Sequence, residues 1–400
     1  MNALNGPAEL NVRRGTQLPI PAAGADSIIV PSTSSHLDFQ RTPRSVSTAY
    51  FFSMTKRKSP PTLSEVARAA GVGTTTVSRV INGGDRVSPK TLAKVRRVIE
   101  AMGYMPNQAA RVLKGDRTKT IGLIIPTIAD PFFSSCAEAA QVVARANDSL
   151  LIVTASHNDP RIEIENLNVL VSHRTDGLIL APANSRSTAL RDLLDRLSVP
   201  VVTMDRPVIG SHVASVVTDN FKGAHLATQH LIGHGYKRIA CLTGESTLFT
   251  IQERIRGYRA AVEAAGLSYE LDTSIKDYKS AEYAIESMLG GANPPDALFT
   301  LKNGATIFVY EALQKLGIPV PKKVALLGFD DFELASTLRP SISVVQQPVE
   351  EIGRVTAEML FDQLLGTHNA EVSGPRHMKH VTLETRLIQR ASCGCVPIVS

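Results

Sequence analysis

The 400-residue sequence predicts an all-α helix-turn-helix head followed by an α/β core of two doubly wound parallel sheets. Three observations carry that expectation. Between Pro61 and Leu113, apolar residues fall at helical spacing in three short blocks. From Thr120 onward, short continuous apolar runs alternate with amphipathic stretches, the pattern of buried parallel strands joined by crossover helices. Charge is segregated as well: Lys56 to Lys119 holds 14 Lys and Arg against 4 Asp and Glu, a net of +10 in a chain whose total is +6. Everything outside that segment therefore sums to −4.

Residues 1–58 mix Pro, Ser, Thr, Ala and Gly with little periodicity, and disorder is expected there. Their longest apolar patch, Ile28 to Val30, is too short for a signal-peptide core. Met54 is followed by TKRKSPPTLSEVA, so the first 53 residues read either as a mis-assigned start or as a flexible arm with basic flanks.

The head is expected over 59–106. Leu63, Val66, Ala67 and Ala70 form one stripe, Val77, Val80 and Ile81 a second, and Leu92, Val95, Ile99 and Met102 a third, enough to close one small core. Thr62 or Ser64 can cap the first helix, Gly71 and Gly73 bracket a tight turn, and Thr74 can cap the second. With the second helix's apolar residues turned inward, Thr74, Thr75, Ser78 and Arg79 share an outer face of hydrogen-bonding groups. Such a face suits base edges in a major groove, and a local excess of cations suits phosphates. A solvated three-helix bundle that binds nothing, or binds protein, is the plainer alternative.

In the core the apolar runs are IGLIIP, SLLIVTA, DGLILAP, PVVTMDR and ASVVTDN, then RIACLTG, DALFTLKN, VALLGFD and SISVVQQP. Amphipathic helices are expected at Glu163–Ser172, His225–Gly233, Arg254–Ala265 and Ala305–Leu316. So many strands imply two sheets, with a break near Thr218 to Gly223.

Ligands of open parallel sheets sit beyond the carboxyl ends of the strands. The residues there are Asp130 with Phe132 and Phe133, Asp205 with Arg206, Thr250 leading to Arg254, Asn303, Phe329 with Asp330, and Gln346. Carboxylates accept from hydroxyls, guanidinium groups donate, amides do both, and aromatic faces suit the apolar side of a sugar ring. This chemistry predicts a small sugar in a cleft between two lobes. Lys222 and Asp219 are weaker candidates, since Asp219 equally suits a helix cap.

Other classes fit less well. Two carboxylates already matched by neighbouring donors do not resemble the acid and nucleophile of a glycosidase. Gly-x-Ser-x-Gly and Gly-x-x-x-x-Gly-Lys are both missing, and no enzyme activity or cofactor is expected. Cys136, Cys241, Cys393 and Cys395 show no zinc-like spacing with histidines. His225, His230 and His234 share a helix face loosely, with no fourth ligand in view, so they read as structural and no metal is expected. No apolar run approaches the ~18 residues of a membrane span, and a reduced, cytoplasmic setting is the default.

VARAAGVGTTTVSRVIN, then VSPKTLAKVRRVIEAMGYMPNQAARVL, then IGLIIPTIADPFF resembles the lactose and galactose repressor family of bacterial transcription regulators, over about residues 60–390. The resemblance implies a two-lobed core like that of periplasmic binding proteins. It places Thr74, Thr75 and Arg79 at base-reading positions and Asn107 through Leu113, Arg111 included, in a hinge helix, within a hinge and linker over 107–118. Leu113 matches the family's minor-groove wedge. Lobe 1 is expected over 119–219 and 347–376, lobe 2 over 220–346 and 377–390, with Pro348 to Leu365 crossing back to the first lobe.

The cleft motifs are similar to those of ribose repressors and ribose-type sugar-binding proteins: Pro-Phe-Phe, Asp-Arg, Arg-x-x-Gly, Asn, Phe-Asp and Gln. Asp130 departs from the usual Asn, and Asn303-Gly304 from Asn-Asp. The implied protein is a homodimeric, sugar-responsive regulator, most simply a repressor, on a palindromic DNA operator. The competing reading is a sugar-binding protein of transport or chemoreception, which would carry an export signal and no DNA-binding head.

Overall fold

The computed structural model describes residues 60–83, 85–105, 117–366 and 380–395. The expectations for 1–58, and for Asn107, Arg111 and Leu113, lie outside the described residues. The chain divides into two compact units, Met1–Tyr104 and Met105–Ser400.

In the first unit three helices, α1 (Leu63–Ala70), α2 (Thr74–Ile81) and α3 (Pro89–Met102), close a core of Val66, Ala67, Ala70, Val77, Val80 and Val95. Thr62 and Glu65 form a reciprocal capping box at the start of α1. Gly71 ends α1 at φ 63°, a left-handed conformation that glycine adopts without a steric penalty. The cap of α2 differs from expectation: extended Gly73 holds the cap position and Thr74 is the first helical residue. Thr74 is exposed there.

The second unit contains two six-stranded sheets. The first runs β11-β5-β4-β3-β1-β2, from β1 (Thr120–Ile125), β2 (Leu150–Ala155), β3 (Gly177–Leu180), β4 (Val201–Met204), β5 (Ala214–Thr218) and β11 (His380–Leu383). All its pairings are parallel. Its crossovers are α4 (Pro131–Ala146), α5 (Pro160–Ser172) and α6 (Thr188–Leu194). Helix α11 (Val349–Leu365) also covers this sheet, the chain passing back to it after β10. Gly353 lets α11 lie against α4, because a Cβ there would collide with the Cys136 carbonyl.

The second sheet runs β12-β10-β9-β8-β6-β7, from β6 (Ile239–Leu242), β7 (Glu270–Asp272), β8 (Ala297–Thr300), β9 (Ala325–Phe329), β10 (Ser343–Gln346) and β12 (Arg386–Ile388). Only its edge strand β12 pairs antiparallel. Helices α7 (Asn220–Gly233), α8 (Phe249–Ala264), α9 (Tyr278–Gly290) and α10 (Asn303–Lys315) accompany it. Each sheet has separate apolar clusters on its two faces, the doubly wound arrangement.

One expectation is corrected by the topology. Residues 377–390 do not all belong to the second lobe: β11 extends the first sheet beside β5, and only β12 joins the second. The two strands are separated by two residues, too short a break to show in apolar periodicity.

Candidate functional site

On α2 the inward faces of Val77 and Val80 leave Thr74, Thr75 and Arg79 exposed and Ser78 half-buried on one side. That side of α2 carries hydroxyls and one guanidinium. Lys90, Lys94, Arg96 and Arg97 add exposed cations along α3.

In the first lobe the chain leaves β4 through Asp205 at φ 68°, a conformation rare for a residue with a Cβ. Its amide remains in the ladder, donating to Val216 O at 2.9 Å, so the turn is fixed while the side chain swings beyond the strand end. Arg206 Nε donates to Asp205 Oδ2 at 2.9 Å, and Arg206 Nη1 donates to Asn158 Oδ1 and Pro182 O, both at 2.9 Å. Burial pushes the Asp205 carboxyl above its ordinary range, and the charges of Arg206 and Arg254 pull it back. Among the described residues no hydrogen bond reaches Asp205 Oδ1. Phe132 and Phe133, in the first turn of α4, pack edge to face at 4.9 Å, with the Arg206 guanidinium 6.0 Å from the Phe133 ring.

The second lobe repeats the device after β9. Asp330 sits at φ 71° with its amide bonded to Val345 O at 2.9 Å. Its partner comes from afar: Arg254 on α8 donates to Asp330 Oδ2 at 3.2 Å, to Leu301 O at 2.6 Å and to Asn220 Oδ1 at 2.7 Å. The Arg254 guanidinium also lies 3.7 Å from the centre of the Phe329 ring. Phe329 is fully buried with that face covered, so it is a seat for Arg254 rather than an open platform for a sugar. Thr250 lies one turn before Arg254 on the same buried face of α8.

The two lobes also touch. Asn303 Nδ2 donates to Asp130 Oδ1 at 3.2 Å, and Lys302 Nζ stands 3.8 Å from Asp130 Oδ2. Asp130 is at once the cap of α4, accepting from the Phe132 amide, and a partner across the cleft. A cavity of about 590 Å³ lined by Arg186, Ser246, Gln252, Glu253, Ile255 and Arg256 opens on the other face of α8 from Thr250 and Arg254. The polar network thus lies apart from that cavity.

Gln346 does not join the network. It is exposed and reaches toward Asp331 at 3.5 Å, while the next residue, buried Gln347, donates to Asp330 Oδ1 at 2.6 Å and accepts from Thr218 Oγ1 at 2.5 Å. Successive strand residues face opposite sides, so a one-residue misreading exchanges outside for inside. Asp219 acts as the cap of α7, and Lys222 points away to Glu384 at 2.8 Å.

Asn158, Asn220, Gln347 and Glu163 were missed by the sequence reading. Asn220 lies two residues beyond the end of β5 and could have been found there; Glu163 could not, because it looks like any helical surface glutamate. It is fully buried, accepts from the Ala183 amide at 2.6 Å through Oε2, and has no partner on Oε1. Burial raises its pKa to about 7 against the opposing pull of that amide and of Arg206.

The structure also separates the three histidines and brings two of them to cysteines. His225 stands apart, with Nδ1 3.3 Å from Gly257 O, but His230 and His234 meet Cys393 and Cys395 in one cluster. Among the described residues no helix is long and apolar enough to cross a membrane.

Residues 118–389 match the family described as periplasmic binding proteins and sugar binding domain of LacI family, and residues 62–107 match bacterial regulatory proteins, lacI family. The transcriptional regulator CelR of Thermobifida fusca is 36% identical over 84% of this chain and 99% of its own length. The ribose operon repressor of Haemophilus influenzae is 31% identical over 76% of this chain and 92% of its own. The solved lac repressor dimer bound to operator and an anti-inducer superposes with a TM-score of 0.74 at 22% identity, over 84% of this chain and 99% of that one, a likeness of fold.

Proposed function

Because this chain belongs to the LacI family of bacterial regulatory proteins, we propose that it is a transcriptional repressor that binds a palindromic operator as a homodimer under the control of a small sugar, a ribose-like aldose. The observation that carries the effector reading is the set of buried polar groups beyond the strand ends of both lobes: Asp205 and Arg206 on one side, Arg254 and Asp330 on the other. Groups so placed are desolvated, fixed in direction and matched to hydroxyls. A ligand seated among them would bond to both lobes and so favour one relation between them. The ribose operon repressor among its relatives supports the choice of an aldopentose.

For DNA, the exposed Thr74, Thr75 and Arg79 on α2 supply base-reading chemistry. A single three-helix head covers little of a duplex, and a two-fold pair reads both halves of a palindrome. Asn107, Arg111 and Leu113 complete the proposed interface as hinge residues. Arg79→Ala should weaken operator binding by about 1–3 kcal/mol and leave non-specific DNA binding largely intact. Equal loss on operator and random duplex, titrated at one salt concentration, would remove Arg79 from the readers.

The effector is tested by calorimetry and thermal shift on the full chain with aldopentoses, aldohexoses, disaccharides and phosphosugars. A ligand at a hundred times its Kd should stabilise the fold by about 2.7 kcal/mol and shift operator affinity. Stabilisation by phosphosugars alone would replace the ribose-like assignment, and stabilisation without any change in operator affinity would sever binding from regulation.

A further inference from the structure

The cluster at the far end of α7 is not used by either proposed activity. We propose that His230, His234, Cys393 and Cys395 form a four-ligand zinc site that fastens the C-terminal turn to the second lobe.

The geometry comes from two local rules and one long-range contact. His230 lies in the last turn of α7 and His234, four residues on, is its C-cap, and their ring centroids are 4.7 Å apart. Cys393 ends a 3-10 turn (Ala391–Cys393), and Gly394 follows at φ 93°, a backbone conformation that reverses the chain and returns the second thiol toward the first. The fold then brings the Cys-Gly-Cys segment onto the histidine face. His230 Nε2 lies 3.3 Å from Cys393 Sγ and 3.6 Å from Cys395 Sγ, and His234 Nε2 lies 3.3 Å from Cys395 Sγ.

All four donor atoms lie within 4.8 Å of one another. A tetrahedron with Zn–S near 2.3 Å and Zn–N near 2.0–2.1 Å has N···S edges of about 3.6 Å. The three N···S separations, 3.3, 3.6 and 3.3 Å, lie at or just below that value, so an ion can be taken up with small side-chain adjustments. Two thiolates with two imidazoles are a soft, tetrahedral donor set, the kind that selects zinc over hard cations. Four protein ligands leave no open position, which makes the site structural rather than catalytic.

The surroundings hold the thiols in place. Ser343 Oγ donates to Cys393 Sγ at 3.0 Å, and the Tyr236 hydroxyl donates to Cys393 O at 3.2 Å. Ser392 Oγ donates to Leu326 O at 2.6 Å and accepts from the Ser343 amide at 2.8 Å, which stitches the turn to β9 and β10. A side chain at Gly394 would press on the Tyr236 hydroxyl, so the turn fits closely. Cys393 is buried whereas His234 is exposed, which leaves the ion a route from solvent.

The test uses the full chain, reduced and stripped with a chelator, then titrated with zinc or with cobalt as a visible substitute. The expected results are one zinc per chain, the thiolate-to-cobalt and d–d absorption of a tetrahedral S₂N₂ centre, and a zinc-dependent rise in Tm. Cys395→Ser and His234→Ala, at accessible positions, should each weaken zinc binding by about a hundredfold or more, since loss of even an outer partner costs roughly 10- to 100-fold. His225→Ala, off the cluster, should bind zinc as the parent does. The proposal falls if the parent chain binds no stoichiometric zinc, if both ligand variants bind it unchanged, or if mass spectrometry of the reduced and reoxidised chain shows a Cys393–Cys395 disulfide with no cobalt spectrum. Should one ligand variant fail to fold, the other and the cobalt spectrum of the parent still decide.

Discussion

Each lobe ends a central strand in a left-handed aspartate beside an arginine, yet the two aspartates are held differently. Asp330 is occupied on both oxygens, by Gln347 and by Arg254, and its arginine is further bonded to Leu301 and Asn220 and seated on Phe329. Asp205 accepts from Arg206 through Oδ2, and among the described residues nothing reaches its Oδ1. The second lobe braces its carboxylate from within, leaving a ligand only the remaining lone pairs, whereas the first also keeps a whole oxygen open. A shared motif therefore does not imply an equal share of a ligand's bonds. In buried sites the number of lone pairs left over sets how many bonds a group can offer a ligand.

The sharpest way to break this comparison is Arg254→Ala. It strands Asp330 in a buried setting and should destabilise the second unit by about 3–5 kcal/mol, read from denaturant melts. A loss no larger than about 1 kcal/mol would show that Asp330 is less dependent on Arg254 than the geometry implies. Asp205→Asn should do the reverse. It keeps the shape and tolerates the left-handed backbone, so the fold should hold while affinity for the cognate sugar drops about 10- to 100-fold by calorimetry. Unchanged affinity would remove Asp205 from the ligand's partners.

Glu163 tests the first lobe alone. Its folded pKa, about 7, is raised above an unfolded value near 4.5, so its contribution is fully present below 4.5 and is lost as pH rises through 7. Glu163→Gln keeps the acceptor for the Ala183 amide, and should be more stable than the parent at pH 8 by on the order of 2 kcal/mol, with no gain at pH 4.5. A stability difference that is flat with pH would refute the burial argument. The smallest effect is expected where the lobes meet: Asn303→Ala removes one partly buried hydrogen bond to Asp130 and should cost about 1 kcal/mol, visible as a small Tm shift.

What could be read in advance was whatever is local. Helix stripes such as Val66, Ala67 and Ala70, and runs such as IGLII, encode their burial within a few residues, and all nine apolar runs became strands. Asp205 with Arg206 was legible as a pair because the partners adjoin. Arg254 with Asp330 was legible only as two residue types, since 76 residues separate them and nothing in periodicity records the contact. Three-residue β7 and the half-exposed strands β11 and β12 left no continuous apolar run to find. Gln347 was lost to Gln346 by one step of strand alternation, and the histidine-cysteine cluster by more than 160 residues of intervening chain.

The left-handed backbone at Asp205 and Asp330 also limits how this protein could be re-engineered. At φ near 70° a β-branched side chain crowds the neighbouring carbonyl, and glycine, asparagine and aspartate sit there at least cost. A saturation library at either position should return chiefly those three among folded clones, whatever ligand is used for selection. New specificity would have to be sought at residues on ordinary backbone around them, such as Phe132, Asn158 of the neighbouring loop excepted because it too is left-handed at φ 55°, or Thr250 on its helix.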